Sequence, residues 1–512
     1  MDHSLRRSAW WGPGSAAFLV IWLALLYFGR EQLFRDPGTL WHTVVGERML
    51  SEHAYIDHDP LSFTFESKPW IAQQWLGECA MALAHRAGGL DALLLLAATV
   101  LAATYAFIFG RLRTAGARPP VAALLIALVI AASSYHFHPR PHLASIAFMA
   151  MCYALVCDVE AGRQSPRRLL LLIPLFVAWT NLHGGALGGI VTVAIVILCW
   201  IGMMLVAAHG DLTAPRLRSR ALGLFVLLIA CAGSVFVNPR GAELPRVWLD
   251  LMKSGVVAKI MSEHAPLKWT SVEALMIGSL AACYLAVLAS TWRRMLRVTW
   301  LLPLLWLALT VSRVRHGPLF AVLAGLAIAE MLPHSSLATS LGEPMPEMGP
   351  ANRRARTRIA PVAIAAFSLA LAIQAAGLHI PLLGTGWARL NPRYWPVEAA
   401  PALREAIAKS GDPRVFNQMT FGGYLIYAVP ESKVFIDDRC ELYGDEFLMQ
   451  YESLMNAPEK FDAVAATWPF PHVLVSARSK LAAHLADHAD WHLIHGDATS
   501  VLYARKSAVP AN

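Results

Sequence analysis

The sequence predicts a polytopic α-helical membrane protein of about eleven transmembrane helices with a C-terminal extracytoplasmic α/β domain. Three observations carry this. The 512 residues are 56% hydrophobic and only 15% charged, far from the balance of a soluble globular chain. Apolar runs approaching the thickness of a bilayer recur from the N-terminus to residue 380, with arginines clustered between alternate runs. Beyond residue 395 the pattern changes to short β-prone stretches alternating with helical ones.

The apolar runs lie near 15–29, 89–110, 119–134, 142–157, 168–181, 185–208, 220–237, 272–291, 297–311, 316–333 and 359–380. Leu5-Arg6-Arg7 could open a signal peptide, but no small-residue cleavage site follows the first run and further runs do, so it reads as an uncleaved helix. With a cytoplasmic N-terminus, the inner loops hold Arg6/Arg7, Arg111/Arg113/Arg118, Arg163/Arg167/Arg168, Arg216/Arg218/Arg220, Arg293/Arg294/Arg297 and Arg353/Arg354/Arg356/Arg358. Every inner loop thus carries an Arg cluster, as the positive-inside rule requires. The opposite side receives a long first loop (30–88) with amphipathic helices, short turns, a loop at 238–271 and everything after 381. Residues 333–358 are polar, Pro-bearing and basic, and read as a cytoplasmic linker. The organisation is therefore a transmembrane domain over 1–381 and an α/β domain over 395–512. In the latter, strands are expected at Arg414-Val-Phe, Lys433-Val-Phe-Ile, His472-Val-Leu-Val-Ser and Ser500-Val-Leu-Tyr, and helices at 399–409, 423–428 and 479–487.

The net charge of +8 comes from arginines scattered between apolar runs, a mark of membrane topology and not of a nucleic-acid partner. Seven cysteines with no CxxC pair indicate neither a disulfide framework nor a thiolate metal site.

The polar motifs gather on one predicted side: DPGTLWH (36–42), HFHPRPH (136–142), NLHGG (181–185), NPRG (238–241) and SRVRHGP (312–318). Taken singly, each could be a turn or a side chain reaching for headgroups. Together they suggest a shared hydrophilic cavity, because ionisable groups at membrane depth must line polar space. Asn238, His42, His138, Arg140, His183, Arg240, Arg313, Arg315 and His316 would line it, and the guanidinium fork suits a phosphate. Asp36-Pro37 is a helix-start signature. Its carboxylate could cap that helix only, or act as a general base on an acceptor. In the C-terminal domain, Asp437, Asp438, Arg439 and Tyr443 follow a buried-looking strand. They could form an internal salt bridge or face an acceptor. No glycine fingerprint for a nucleotide precedes a helix, which disfavours a nucleotide-sugar donor.

The span followed by Asp36, the Trp41-His42 pair and DHDPLSFTFESKPWIAQQWLGE (57–78) resembles the first outer loop of bacterial membrane glycosyltransferases of the GT-C superfamily. That superfamily includes protein O-mannosyltransferases and lipid A aminoarabinose transferases. The turns PRPH, NLHGG, NPRG and RHGPLF, and FNQMTFGGYLIYAVPESKVFIDDRCELYG (416–444), are similar to those of a broad bacterial branch. The resemblance implies an inverting transferase of the bacterial inner membrane, with its C-terminal domain periplasmic. It would take a sugar from a polyprenyl-phosphate donor to a lipid, glycan or protein acceptor among membrane lipids, with Asp36 as base. Relatives often carry an acidic doublet at that position, but residue 37 is Pro, and Asp57, Asp59 or Glu78 would then supply the second acid. Some relatives use a divalent cation; Asp36 and His42 are the ligand candidates, too few to assign a metal. Two other classes stay open: a lipid-linked glycan transporter or flippase, and a non-catalytic envelope-assembly protein of the same fold.

Overall fold

The computed structural model describes residues 12–208, 215–291, 295–337 and 359–506. Arg6, Arg7, Arg293, Arg294, Arg353, Arg354, Arg356, Arg358 and linker residues 338–358 lie outside the described residues. Each apolar run carries a helix. In chain order the helices are α1 (Pro13–Gln32), α2 (Pro37–Glu52), α3 (Trp75–Thr114), α4 (Pro119–Ala131), α5 (His142–Glu160), α6 (Leu172–Leu182), α7 (Ala186–Ala207) and α8 (Pro215–Gly233). They continue with α9 (Glu243–Lys253), α10 (Val257–Ile260), α11 (Val272–Thr291), α12 (Val298–Ser312), α13 (Gly317–Met331) and a last apolar helix, Ala360–Ala375. Among the described residues seven helices are long and apolar enough to cross a membrane, so the chain is a multi-pass membrane protein. The helices α4, α12 and Ala360–Ala375 are apolar but shorter, and α6 has 11 residues. Eleven crossings therefore stay an expectation for these four.

Helix α3 is kinked where Gly88 and Gly89 leave helical geometry. Gly89 sits at φ 61, ψ −142, a conformation open only to glycine, and its kink separates a membrane half from a half that packs on α2. That packing is close. A side chain at Gly46 of α2 would overlap the carbonyl of Glu78. Gly46→Ala is therefore expected to destabilise the protein by ~1–3 kcal/mol through overpacking, read as a lowered midpoint of thermal unfolding; an unchanged midpoint would contradict the contact.

The C-terminal domain is a five-stranded sheet in the order β2-β1-β3-β5-β4. Strands β1 (Arg414–Asn417), β2 (Lys433–Val434) and β3 (His472–Ser476) run parallel, while β4 (Trp491–Gly496) and β5 (Ser500–Arg505) close the sheet antiparallel. Its core does not stop at the domain: Leu40, Trp41, Val45, Met49, Ile56 and Trp70 of the segment between the first two spans are buried in the same cluster as Phe416, Leu425 and Ile436. The apolar face of α2 is thus turned to this domain. Gly423 makes the approach possible, since a Cβ there would strike the backbone of Pro37.

At the end of the bundle away from that domain, Arg111 of α3 donates to Asp158 of α5 at 2.7 Å and to Glu330 of α13 at 2.6 Å. Arg163 bonds the same two carboxylates, at 2.7 and 2.6 Å. Arg297 stands 3.8 Å from Glu330, which is 7% exposed. This network ties three helices together. Glu330→Gln, which keeps the shape and removes the charge, is expected to lower stability by about 1–3 kcal/mol, measured as a shift in the unfolding midpoint; no shift would mean the network contributes nothing.

Candidate active site

The site grows from the start of α2. Asp36 caps the helix, its Oδ2 accepting the Thr39 N–H at 3.2 Å, and Pro37 occupies the first turn, where its missing N–H has no consequence. Gly38 leaves the cap open on one side: a Cβ there would lie 2.7 Å from the Arg140 guanidinium carbon. Through that gap Arg140 Nη1 donates to Asp36 Oδ1 at 3.0 Å. The turn HFHPRPH therefore meets DPGTLWH at one ion pair.

Arg140 also faces Glu263, at 3.8 Å. Glu263 in turn lies 3.7 Å from Arg315 and 3.9 Å from His136, so a single carboxylate bridges two guanidinium groups. Burial alone would raise its pKa, but Arg315, His264 and Arg140 outweigh it and hold the carboxyl well below the usual range. Next to it the rings of His136 and His142 stand 4.5 Å apart, and those of His142 and His183 stand 6.3 Å apart. Trp179 Nε1 donates to Ser145 Oγ at 2.7 Å, and Ser145 Oγ lies 2.7 Å from His183 Nδ1, which also accepts the Gly185 N–H at 3.0 Å. Nδ1 is thus the acceptor, and a neutral His183 carries its proton on Nε2. Burial, with the neighbouring cations, holds His183 well below its ordinary pKa and pushes His136 down to about 3. The cluster therefore presents guanidinium charges together with neutral imidazoles.

Deeper in, His42 Nδ1 bonds Glu78 Oε1 at 2.8 Å with both side chains buried. His42 Nε2 and Glu78 Oε2 have no partner. Burial, then Arg140 and His183, keeps His42 well below its ordinary pKa.

From the sheet domain, Asp438 reaches the same place. Trp41 Nε1 donates to its Oδ1 at 2.8 Å. Burial pushes the Asp438 carboxyl up to about 8, the charge of Asp36 adds to this, and Arg140 opposes it.

Other candidates from the sequence are held by partners of their own. Asn238 holds its own turn, donating to Val235 O at 2.7 Å and Gly241 O at 2.9 Å. Arg240 pairs with Glu243 and, at 3.4 Å, with Asp57. Arg313 donates to the Met252 carbonyl at 3.0 Å; His316 lies edge-on to Trp306; and His138 approaches the Leu33 carbonyl at 3.3 Å. Asp59, Asp437 and Arg439 form a wholly buried ion-pair group, to which Tyr443 adds a hydrogen bond on Asp437 at 2.9 Å. Glu263, His136, His142 and His264 join the site without having been named as candidates by sequence. Two of these lie within HFHPRPH, and Glu263-His264 is an acid beside a His in a loop on the motif side.

The metal candidates do not converge. Asp36 is taken up by Arg140 and Thr39, and His42 by Glu78. A guanidinium on the proposed ligand opposes a divalent cation, so these residues do not fit one. Among the described residues the one group close enough to share an ion is Glu398, His495 and Asp497, in the sheet domain.

No protein-family model and no curated protein matches the chain. Among solved structures it is similar to ArnT from Cupriavidus metallidurans bound to undecaprenyl phosphate, at 14% identity and a TM-score of 0.54, covering 98% of both chains. The chain shares the fold of this ArnT. The apo state of the same ArnT superposes with a TM-score of 0.52 at 14% identity, covering 97% of this chain and 99% of that one. The likeness extends over nearly the whole length, so the helical bundle and the sheet domain that carries Asp438 belong to one shared architecture.

Proposed function

We propose that this chain is an inverting glycosyltransferase that moves a sugar from a polyprenyl-phosphate donor to a lipid, glycan or protein acceptor. The observation that carries the reading is the Asp36–Arg140 pair at 3.0 Å, joined through Glu263 to Arg315 and His136. A phosphate entering that cluster would draw on Arg140 and Arg315, for which Glu263 stands in as the resident anion. Release of Arg140 would leave Asp36 free to take the acceptor's proton as the acceptor oxygen attacks sugar C1 from the face opposite the phosphate. Binding of undecaprenyl phosphate by ArnT, of the same fold, supports this choice of donor. The Arg clusters support an orientation with the N-terminus cytoplasmic and the sheet domain periplasmic. The ion-pair network around Glu330, at the other end of the bundle, favours transfer over transport, because passage across the membrane would require that end to open.

The test is to incubate the purified protein with undecaprenyl-phosphate-linked hexoses and pentoses, together with lipid A, glycan and protein acceptors. Release of undecaprenyl phosphate with sugar on an acceptor is expected. Movement of the lipid between leaflets with neither transfer nor hydrolysis would overturn the reading.

A further inference from the structure

Residues 437–439 bend the chain between β2 and the next helix, with the Arg439 N–H donating to Asp437 Oδ1 at 2.9 Å and the Cys440 N–H to the Asp438 carbonyl at 2.9 Å. Asp437 and Arg439 are 0% exposed and bonded to each other, at 2.8 Å from Nε to Oδ1 and 2.6 Å from Nη2 to Oδ2. Arg439 also holds Asp59, at 2.7 Å. With Asp437 and Arg439 locked inward by these bonds, Asp438 between them is the half-buried member of the three. The side it reaches is the start of α2. Trp41 bonds its Oδ1 at 2.8 Å. Gly422 lies against Asp437, and Gly423 lies against Pro37; side chains at either position would collide with those neighbours, so the register between the domain and α2 is set by close backbone contact on both sides of the site. Position 37, beside the candidate base, cannot supply an acid because it is Pro.

We infer that Asp438 is the second acid of the site, delivered by the C-terminal domain: it presents a protonated carboxyl to the departing phosphate while Asp36 takes the acceptor's proton. This rests on the transferase reading above. The groups that face Asp438 are Asp36 and Trp41 from α2, Arg140 from the turn before α5, and Asp437 from its own segment. With Asp36 ionised on Arg140, a second negative charge beside it is disfavoured, and the proton stays on Asp438. In the reaction the acceptor O–H passes its proton to Asp36, the acceptor oxygen bonds to sugar C1, and the bond from C1 to the phosphate oxygen breaks. That oxygen takes the proton of Asp438. Transfer of the proton from Asp36 to Asp438 then restores the starting state, and the product lipid leaves as a phosphate monoester carrying one added proton.

The experiment measures binding of undecaprenyl phosphate to the full chain in lipid nanodiscs at pH 7 and pH 9, for the wild type, Asp438→Asn and Trp41→Phe. Only the protonated carboxyl accepts a phosphate neighbour; above its midpoint near 8 it becomes a repelling carboxylate. Affinity should therefore fall as pH rises, about tenfold more for wild type than for Asp438→Asn, since a group titrating near 8 loses roughly nine tenths of its protonated form across that interval. Ionisation of the lipid phosphate affects all three proteins alike. Trp41→Phe removes a donor that favours the charged carboxylate, so its fall should move to higher pH; a purely structural tryptophan would not shift the curve. Should Asp438→Asn fail to fold, this displacement decides the matter. Identical pH profiles in wild type and both variants, with binding intact, overturn the second-acid role and leave the transferase reading standing. Failure of wild type to bind undecaprenyl phosphate at either pH overturns both.

Discussion

Replacing Asp36 by Asn is expected to lower the rate of sugar transfer by about 10²–10⁴-fold, the usual worth of a positioned general base. Asparagine is as good an N-cap as aspartate, so Thr39 N–H keeps its acceptor and α2 keeps its start. The change is confined to charge and proton affinity. Arg140 at the same time loses the carboxylate it holds at 3.0 Å and becomes fully available to a phosphate. The variant should therefore bind undecaprenyl phosphate as tightly as wild type or more tightly, while its turnover collapses. Measuring affinity and turnover separately exposes this split; transfer at the wild-type rate would remove Asp36 from the chemistry.

Arg439→Met is expected to destabilise the protein by about 3–5 kcal/mol, because it leaves the carboxylates of Asp437 and Asp59 buried without their cation. Both partners and the guanidinium are 0% exposed as side chains, so water cannot stand in. Burial would lower the pKa of Arg439, but Asp437 and Tyr443 more than reverse this and keep it charged. Its guanidinium also lies 4.6 Å over the ring of Trp70, so the residue joins the sheet domain to the segment between the first two spans by charge and by stacking together. Thermal unfolding followed by tryptophan fluorescence would measure the loss. A triple variant, Arg439→Met with Asp437→Asn and Asp59→Asn, should recover much of it, since no unpaired charge is then buried. A single variant as stable as wild type would show that the carboxylates find other partners. Because this group locks the segment carrying Asp438, transfer should fail before the domain unfolds.

Local features of the sequence were enough for most of the helical architecture. Each apolar run carries a helix, and Asp36-Pro37 starts α2 as the capping signature implies. Four of the sheet's five strands lie where β-prone stretches suggest. The strand not foreseen, β4 (Trp491–Gly496), is an edge strand, with most of its residues partly or fully exposed. It needs no alternation of apolar side chains, and so leaves no pattern to read. That Leu40 and Met49 of α2 face protein follows from α2 docking on the sheet domain, which no local pattern along the chain announces.

The site divides along the same line. The arginines and histidines proposed to hold an anion could be picked out along the chain, because such residues in short turns between apolar runs are out of place unless they line polar space. Which of them meet could not be read there. Arg140 and Arg315 share Glu263, while Asn238, Arg240 and Arg313 are drawn into turns and loops of their own. Hydropathy and helix period are properties of neighbours along the chain, and so the sequence by itself determined the membrane class, the helices and the stock of charged groups. Asp36, Arg140, Glu263 and Asp438 are brought together from four distant segments. Only the tertiary structure decided that convergence, because it depends on glycines that permit close backbone approach and on buried ion pairs that fix which way each remaining side chain must face.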